Sequence, residues 1–192
     1  MKRITFGIDS PKDLLEKLQF DGDRLEANIH PYDVFNFFIT ASVLYEWITK
    51  HYKNCSFVSN VEVAVKTEEA LIIPELALNW ITDSSCIPND ARDFRFDIVN
   101  VINACWYTAN ASKHYHWFKN NPVTAVETEP VIKDSYQYFF TSVEPSLYLE
   151  INNQHYNLRQ IKGIILQFYS GFIAYLESEE TKKITSRCSI CR

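Results

Sequence analysis

Apolar residues recur every three or four positions along much of this chain and alternate with polar ones in a few short stretches, which predicts long helices joined to a small sheet. Ile4, Phe6 and Ile8 alternate, suggesting a short strand or extended arm. Ser10-Pro11-Lys12-Asp13 then supplies an N-cap, a proline at the first helical position and an acid in the first turn, so a helix starts here. Leu14, Leu15 and Leu18 form its apolar face, and Asp21-Gly22 is expected to end it. A second start at Asn28 to Pro31 leads into a core helix from Tyr32 to about Tyr52, carried by Phe35, Phe38, Ile39, Leu44, Trp47 and Ile48.

Ser56 to Lys66, with Phe57, Val61, Val63 and Val65, reads as either strand or loop, and Glu68 to Asp83 as a helix broken or started at Pro74. After a loop at Ser84 to Asp90, Ala91 to Phe118 is the longest helical pattern, stopped by Asn121-Pro122. Between Val123 and Ile151 the residues turn β-branched and aromatic, with Tyr136, Tyr138 and Phe140 alternating, and Leu147 to Tyr156 reads as a hairpin around Asn152-Asn153. Asn157, with Gln160 three positions on, caps a last helix running to about Glu177. The fold class is therefore mainly α: a helical bundle with a small antiparallel hairpin or sheet inserted before the last helix. Without repeats or linkers, residues 1–180 read as one domain and 181–192 as a polar, flexible tail.

Composition narrows this picture. The 192 residues are 46% hydrophobic and 15% aromatic with only 4 glycines, so large rings fill the core and few tight turns are available. A formal net charge of -5 argues against general attraction to nucleic-acid phosphates. The N-terminus has no apolar signal region, and no segment offers the roughly 20 apolar residues that span a bilayer. A cytoplasmic protein with no membrane association is expected. Five widely spaced cysteines fit reduced thiols better than a disulfide framework.

Candidate chemistry concentrates on the Ala91–Phe118 helix, where Asn100, Asn103, Tyr107, Asn110, His114 and Trp117 follow steps of three and four and share one face. Its neighbouring faces are apolar, so this polar stripe is expected to be partly buried and its amides to need partners. Asn36, Thr40, Trp47 and His51 share a face of the second helix, and the two polar ladders could satisfy each other. In a functional reading Asn36, Thr40, Trp47, Asn103 and Tyr107 bind a ligand, while His114, Lys113 and Asn110 are catalytic. His114 would then shuttle protons and Lys113 hold developing negative charge. In a structural reading the amides fix helix register, His114 caps the helix end and Lys113 faces solvent.

Two resemblances follow. Phe35-Asn36-Phe37-Phe38-Ile39-Thr40-Ala41, Leu44 and Glu46-Trp47, with the downstream Asn110-Ala-Ser-Lys113-His114, resemble a set of small bacterial proteins sharing Phe-Asn-x-x-x-Thr-Ala-x-x-Leu-x-Asp-Trp and Asn-x-x-Lys-His. Glu46 stands where an Asp is usual. The resemblance implies a shared fold and, by extension, an accessory role in a stress or phage-defence system. More loosely, a helical bundle with a polar, His-bearing helix end is similar to the HEPN superfamily of ribonucleases, whose signature is an Arg, a polar residue and a His a few positions later. Arg24 and His30 have the spacing, but Leu25 follows the Arg and Pro31 the His, so the pair straddles a helix start. The resemblance extends to the fold and not to that signature.

Cys188-Ser-Ile-Cys191 is half a zinc site with no second pair in the chain, so no metal and no cofactor are assigned. Phosphate-cradling glycine loops and zinc-protease helices are absent. Three function classes stand: a binding or accessory protein with a protein partner or as a homodimer, a HEPN-like ribonuclease or toxin using His114, and a small-ligand sensor with a pocket between helices. A closed, fully hydrogen-bonded ladder would favour the structural reading of the stripe.

Overall fold

Two capping boxes set the ends of the architecture. In the computed structural model, which describes residues 7–27, 30–81, 94–114, 123–128, 146–152 and 154–190, some of them by backbone alone, the first box opens α1 (Pro11–Ala27). Ser10 Oγ accepts from the Asp13 amide at 3.2 Å, and Asp13 Oδ2 accepts from the Ser10 and Asp9 amides at 2.9 Å. Those amides hold the exposed Asp13 carboxyl below its ordinary range. The second box opens α6 (Leu158–Ile190), where Asn157 and Gln160 exchange amide bonds of 2.8 and 3.0 Å.

Between them lie α2 (Pro31–His51), α3 (Ser56–Thr67), α4 (Glu75–Ile81), α5 (Phe94–His114) and the strands β1 (Val123–Thr128), β2 (Ser146–Ile151) and β3 (Gln154–Asn157). The strands form an antiparallel sheet in the order β1-β2-β3, with Val123 opposite Ile151 and Ile151 opposite Gln154. The chain is thus a helical bundle with a small antiparallel sheet before its last helix. Asn152 turns the β2–β3 hairpin with φ 51°, a left-handed conformation that Asn tolerates better than most residues.

Several boundaries differ from those expected. Gly22 does not end α1. It sits inside the helix where a Cβ would lie 3.2 Å from Lys162 Cε, 3.3 Å from Leu166 Cδ1 and 3.4 Å from Phe37 Cε2, so it permits close approach of α1 to α2 and α6. Ser56–Thr67 is helical, and Phe57, Val58, Val61 and Ala64 form its buried face. Pro74 starts α4, its carbonyl accepting from Ala77 and Leu78. The longest helix is α6 with 33 residues rather than α5 with 21, and α6 continues through Ile190 instead of stopping near Glu177. The arm around Ile4, the Ser84–Asp90 loop, the Asn121-Pro122 stop and the alternation at Tyr136 to Phe140 lie outside the described residues.

The core runs along α6. Ile161, Ile165, Phe168, Phe172 and Leu176 are buried at helical spacing, and Phe172 meets Phe57 edge to face with centroids 4.8 Å apart. Each fully buried ring of this kind contributes about 1.5–3 kcal/mol relative to exposure. Tyr169 threads the same core and donates to the Ala41 carbonyl of α2 at 3.1 Å, satisfying its hydroxyl. On the α2 side, Phe35 is 40% exposed, and Phe37, two positions on and on the opposite side of the helix, is buried instead.

Candidate binding site

The polar stripe of α5 divides into two parts according to what packs against it. Its first turns face the hairpin. Asn100 Nδ2 donates to the Tyr156 hydroxyl at 3.1 Å, that hydroxyl donates to Asp97 Oδ1 at 2.7 Å, and Asn152 Nδ2 donates to Asn100 Oδ1 at 3.1 Å. Tyr156 is buried on β3, so its single hydroxyl ties the sheet to α5. Asn103 Nδ2 donates to the Val65 carbonyl in the last turn of α3 at 3.1 Å. These amides are closed by structural partners.

Further along, the described residues supply no such hydrogen-bond partner to Asn110. Tyr107 is half-buried, and its phenol is held above the ordinary range by burial together with the Glu68 carboxylate. Asn110 follows one turn later, and its Nδ2 is buried without a hydrogen-bond partner. Lys113 and His114 occupy the last turn of the helix, where exposed carbonyls favour cationic side chains; the structure describes them by backbone alone. Trp117 lies outside the described residues.

The second ladder does not face the first, contrary to expectation. Asn36 is exposed, and Thr40 turns to α1. Its hydroxyl accepts from Lys17 Nζ at 2.7 Å and donates to Asp21 Oδ2 at 2.6 Å, while Lys17 and Asp21 form an ion pair at 2.5 Å. Asp21 is buried, so this triad gives a buried carboxylate both a charge and a hydroxyl. Trp47 packs half-buried against the core, and His51 is exposed. What α2 presents to the centre of the bundle is aromatic: Tyr45, mostly buried, is pushed up to about 12 by burial, with Glu62 adding to the shift. Cys105 of α5 and Tyr169 are both buried and raised by desolvation, which makes this thiol inert.

An exposed cluster that the periodicity did not single out lies where α1 and α2 meet. Phe20 is 61%, Tyr32 74% and Phe35 40% exposed. Arg24 links the two helices, its guanidinium 6.0 Å from the Phe20 ring centroid and its Nε donating to Asp33 Oδ1 at 2.7 Å. His30 caps α2, Nδ1 accepting from the Tyr32 amide at 3.2 Å, with its ring 4.9 Å from that of Tyr32. Arg24 and His30 therefore belong to different helices. The available signal was that Phe20 and Tyr32 stand outside the apolar sets of their helices; Phe35, expected on the core face, is exposed instead.

Among the described residues no group of three His, Cys, Asp or Glu could hold a metal ion, and no helix is long and apolar enough to cross a membrane. Cys188 falls near the end of α6, and Cys191 lies outside the described residues. No protein-family profile, curated protein or solved structure matches the chain.

Proposed function

We propose that this chain is a binding or accessory protein that docks a protein partner through the aromatic tip of the α1–α2 pair. The observation that carries the reading is the exposure of Phe20, Tyr32 and Phe35 on the two helices that Arg24 joins, with Arg24 over the Phe20 ring and bonded to Asp33, since exposed aromatics and arginine dominate the energetics of protein interfaces. The tip also carries both signs of charge, Arg24 and Asp33, so it can complement a second copy of itself about a two-fold axis. By the resemblance of the Phe35–Trp47 and Asn110–His114 segments, the accessory role belongs to a bacterial stress or phage-defence setting.

Two features support binding over catalysis. Asn100 and Asn103 are spent on structural partners, and Arg24 is paired with Asp33 instead of sharing a helix face with an imidazole. The test is sedimentation velocity of the full chain over a concentration series, beside Phe20→Ser/Tyr32→Ser. Self-association lost in an equally folded double variant supports the tip as the interface. If the wild type is monomeric, a photo-crosslinking residue at position 32 should trap a partner in cells. Association unchanged by the double variant, or a monomer that gives no crosslink at position 32, overturns the proposal, and RNA cleavage abolished by His114→Ala would replace it with an enzyme.

A further inference from the structure

Helix α1 shows solvent a face whose charges are sorted. Glu16, Gln19, Phe20, Asp23 and Arg24 are exposed, while Leu14, Leu15, Leu18 and Leu25 are buried. At 3.6 residues per turn, Glu16 and Asp23 lie about 40° and 60° to one side of Phe20, and Arg24 and Lys17 about 40° and 60° to the other. The exposed ring therefore divides an acidic edge from a basic one. The basic edge adjoins α2: Arg24 Nε donates to Asp33 Oδ1 and Lys17 Nζ to Thr40 Oγ1, each at 2.7 Å. The Asp33 bond uses one of the five N–H donors of the guanidinium, and the Arg24 side chain is 56% exposed. On the acidic edge the Asp23 side chain is 79% exposed, with Lys162 of α6 approaching at 3.9 Å. Lys12, about 80° round and two turns before Phe20, lies outside this pattern.

A face sorted in this way complements its own copy in one orientation. A two-fold axis parallel to the helix sets the acidic edge of each copy against the basic edge of the other, so that both seams join opposite charges. A two-fold axis across the helix turns one copy end for end and sets acid against acid and base against base. Exposed ion pairs add little affinity one by one, but like charges brought opposite each other suppress the wrong arrangement. The edges thus fix orientation, while the Phe20 ring between them supplies the apolar contact.

We propose that two copies of this chain pair through α1, side by side and parallel, with Phe20 on the two-fold seam. Glu16 and Asp23 of each copy then lie against Lys17 and Arg24 of the other. The inference rests on the aromatic tip as the docking surface, and it goes further in naming the partner as a second copy and fixing how that copy is turned.

The experiment is sedimentation velocity of the full chain over a concentration series, comparing the wild type, Glu16→Lys/Asp23→Asn and Phe20→Ser/Tyr32→Ser, each checked for an unchanged melting curve. The charge variant moves the formal net charge from -5 to -2, two units from Glu16→Lys and one from Asp23→Asn, so general repulsion between copies falls. Dimerisation should nonetheless weaken about tenfold, because both seams lose their acidic edge. The gap from the wild type should narrow in about 1 M salt, which screens exposed charges. Should the double variant melt early, Glu16→Lys alone keeps the approach of Asp23 to Lys162 and should shift dimerisation in the same direction. Unchanged or tighter dimerisation of the charge variants overturns the parallel pair; the tip stands as the docking surface if the ring variant still dissociates. A dimer that ignores the ring variant overturns both readings. A monomeric wild type overturns the pairing of copies and leaves the tip to the crosslink at position 32.

Discussion

The two halves of α5 carry the same kind of residue and do different things with it. From Asp97 to Asn103 the amides are closed by Tyr156, Asn152 and the Val65 carbonyl; from Trp106 to His114 the stripe runs past the end of α3 and leaves Asn110 Nδ2 unpaired. The difference comes from what the chain brings opposite each turn. A partner brought opposite the helix makes an asparagine structural, and where none of the described residues supplies one the same amide stays unsatisfied.

The sharpest way to break this contrast is to remove a ring from each half. Tyr156→Ala should cost about 3–5 kcal/mol, since it empties a buried aromatic site and strands Asp97 and Asn100. Trp106→Ala, at a partly exposed ring, should cost about 1 kcal/mol, and equal losses in urea titrations would erase the distinction. Next in size is Thr40→Val, which takes the hydroxyl from the Lys17–Asp21 pair and should cost about 1–3 kcal/mol in the same urea titrations. A loss below about 0.5 kcal/mol would mean that Lys17 alone satisfies the buried Asp21.

A pH series probes the aromatic core behind both halves. Burial raises the Tyr45 phenol to about 12, so the folded state favours its neutral form. That stabilisation is complete below the unfolded value of 10.0 and is lost as pH rises from there through about 12. Melting temperature should fall across that window and fall less in Tyr45→Phe. The smallest effect belongs to His114→Ala, in the last turn of α5: a stability change within about 0.5 kcal/mol, where a larger loss would place the imidazole in the closed half.

Local chemistry was legible in the sequence and distant chemistry was not. The Ser10–Asp13 and Asn157–Gln160 boxes follow from residues three apart, and both form. Gly22 read as a stop because its reason for being glycine is the approach of Lys162 and Leu166, well over a hundred positions away. Val61, Val63 and Val65 left the segment between strand and loop, yet the buried set Phe57, Val58, Val61 and Ala64 has helical spacing, and Val63 is 57% exposed. At the site, the shared face of Asn100, Asn103 and Asn110 was readable from periodicity. Which of them would find partners was not, because Tyr156 and Asn152 reach Asn100 from more than fifty positions away. The pairing of the α2 ladder failed for the same reason: Thr40 answers to Asp21 on α1, and a helical wheel of α2 alone does not reveal that neighbour.

The measurement that tests the account most directly is urea unfolding of Asn100→Ala beside Asn110→Ala. Loss of two partnered bonds should cost Asn100→Ala about 1–3 kcal/mol, whereas removal of an unpaired donor should leave Asn110→Ala within about 0.5 kcal/mol of the wild type or above it. Equal destabilisation of the two variants, or a greater loss at Asn110, would contradict the division of α5 into a partnered half and an unpartnered end.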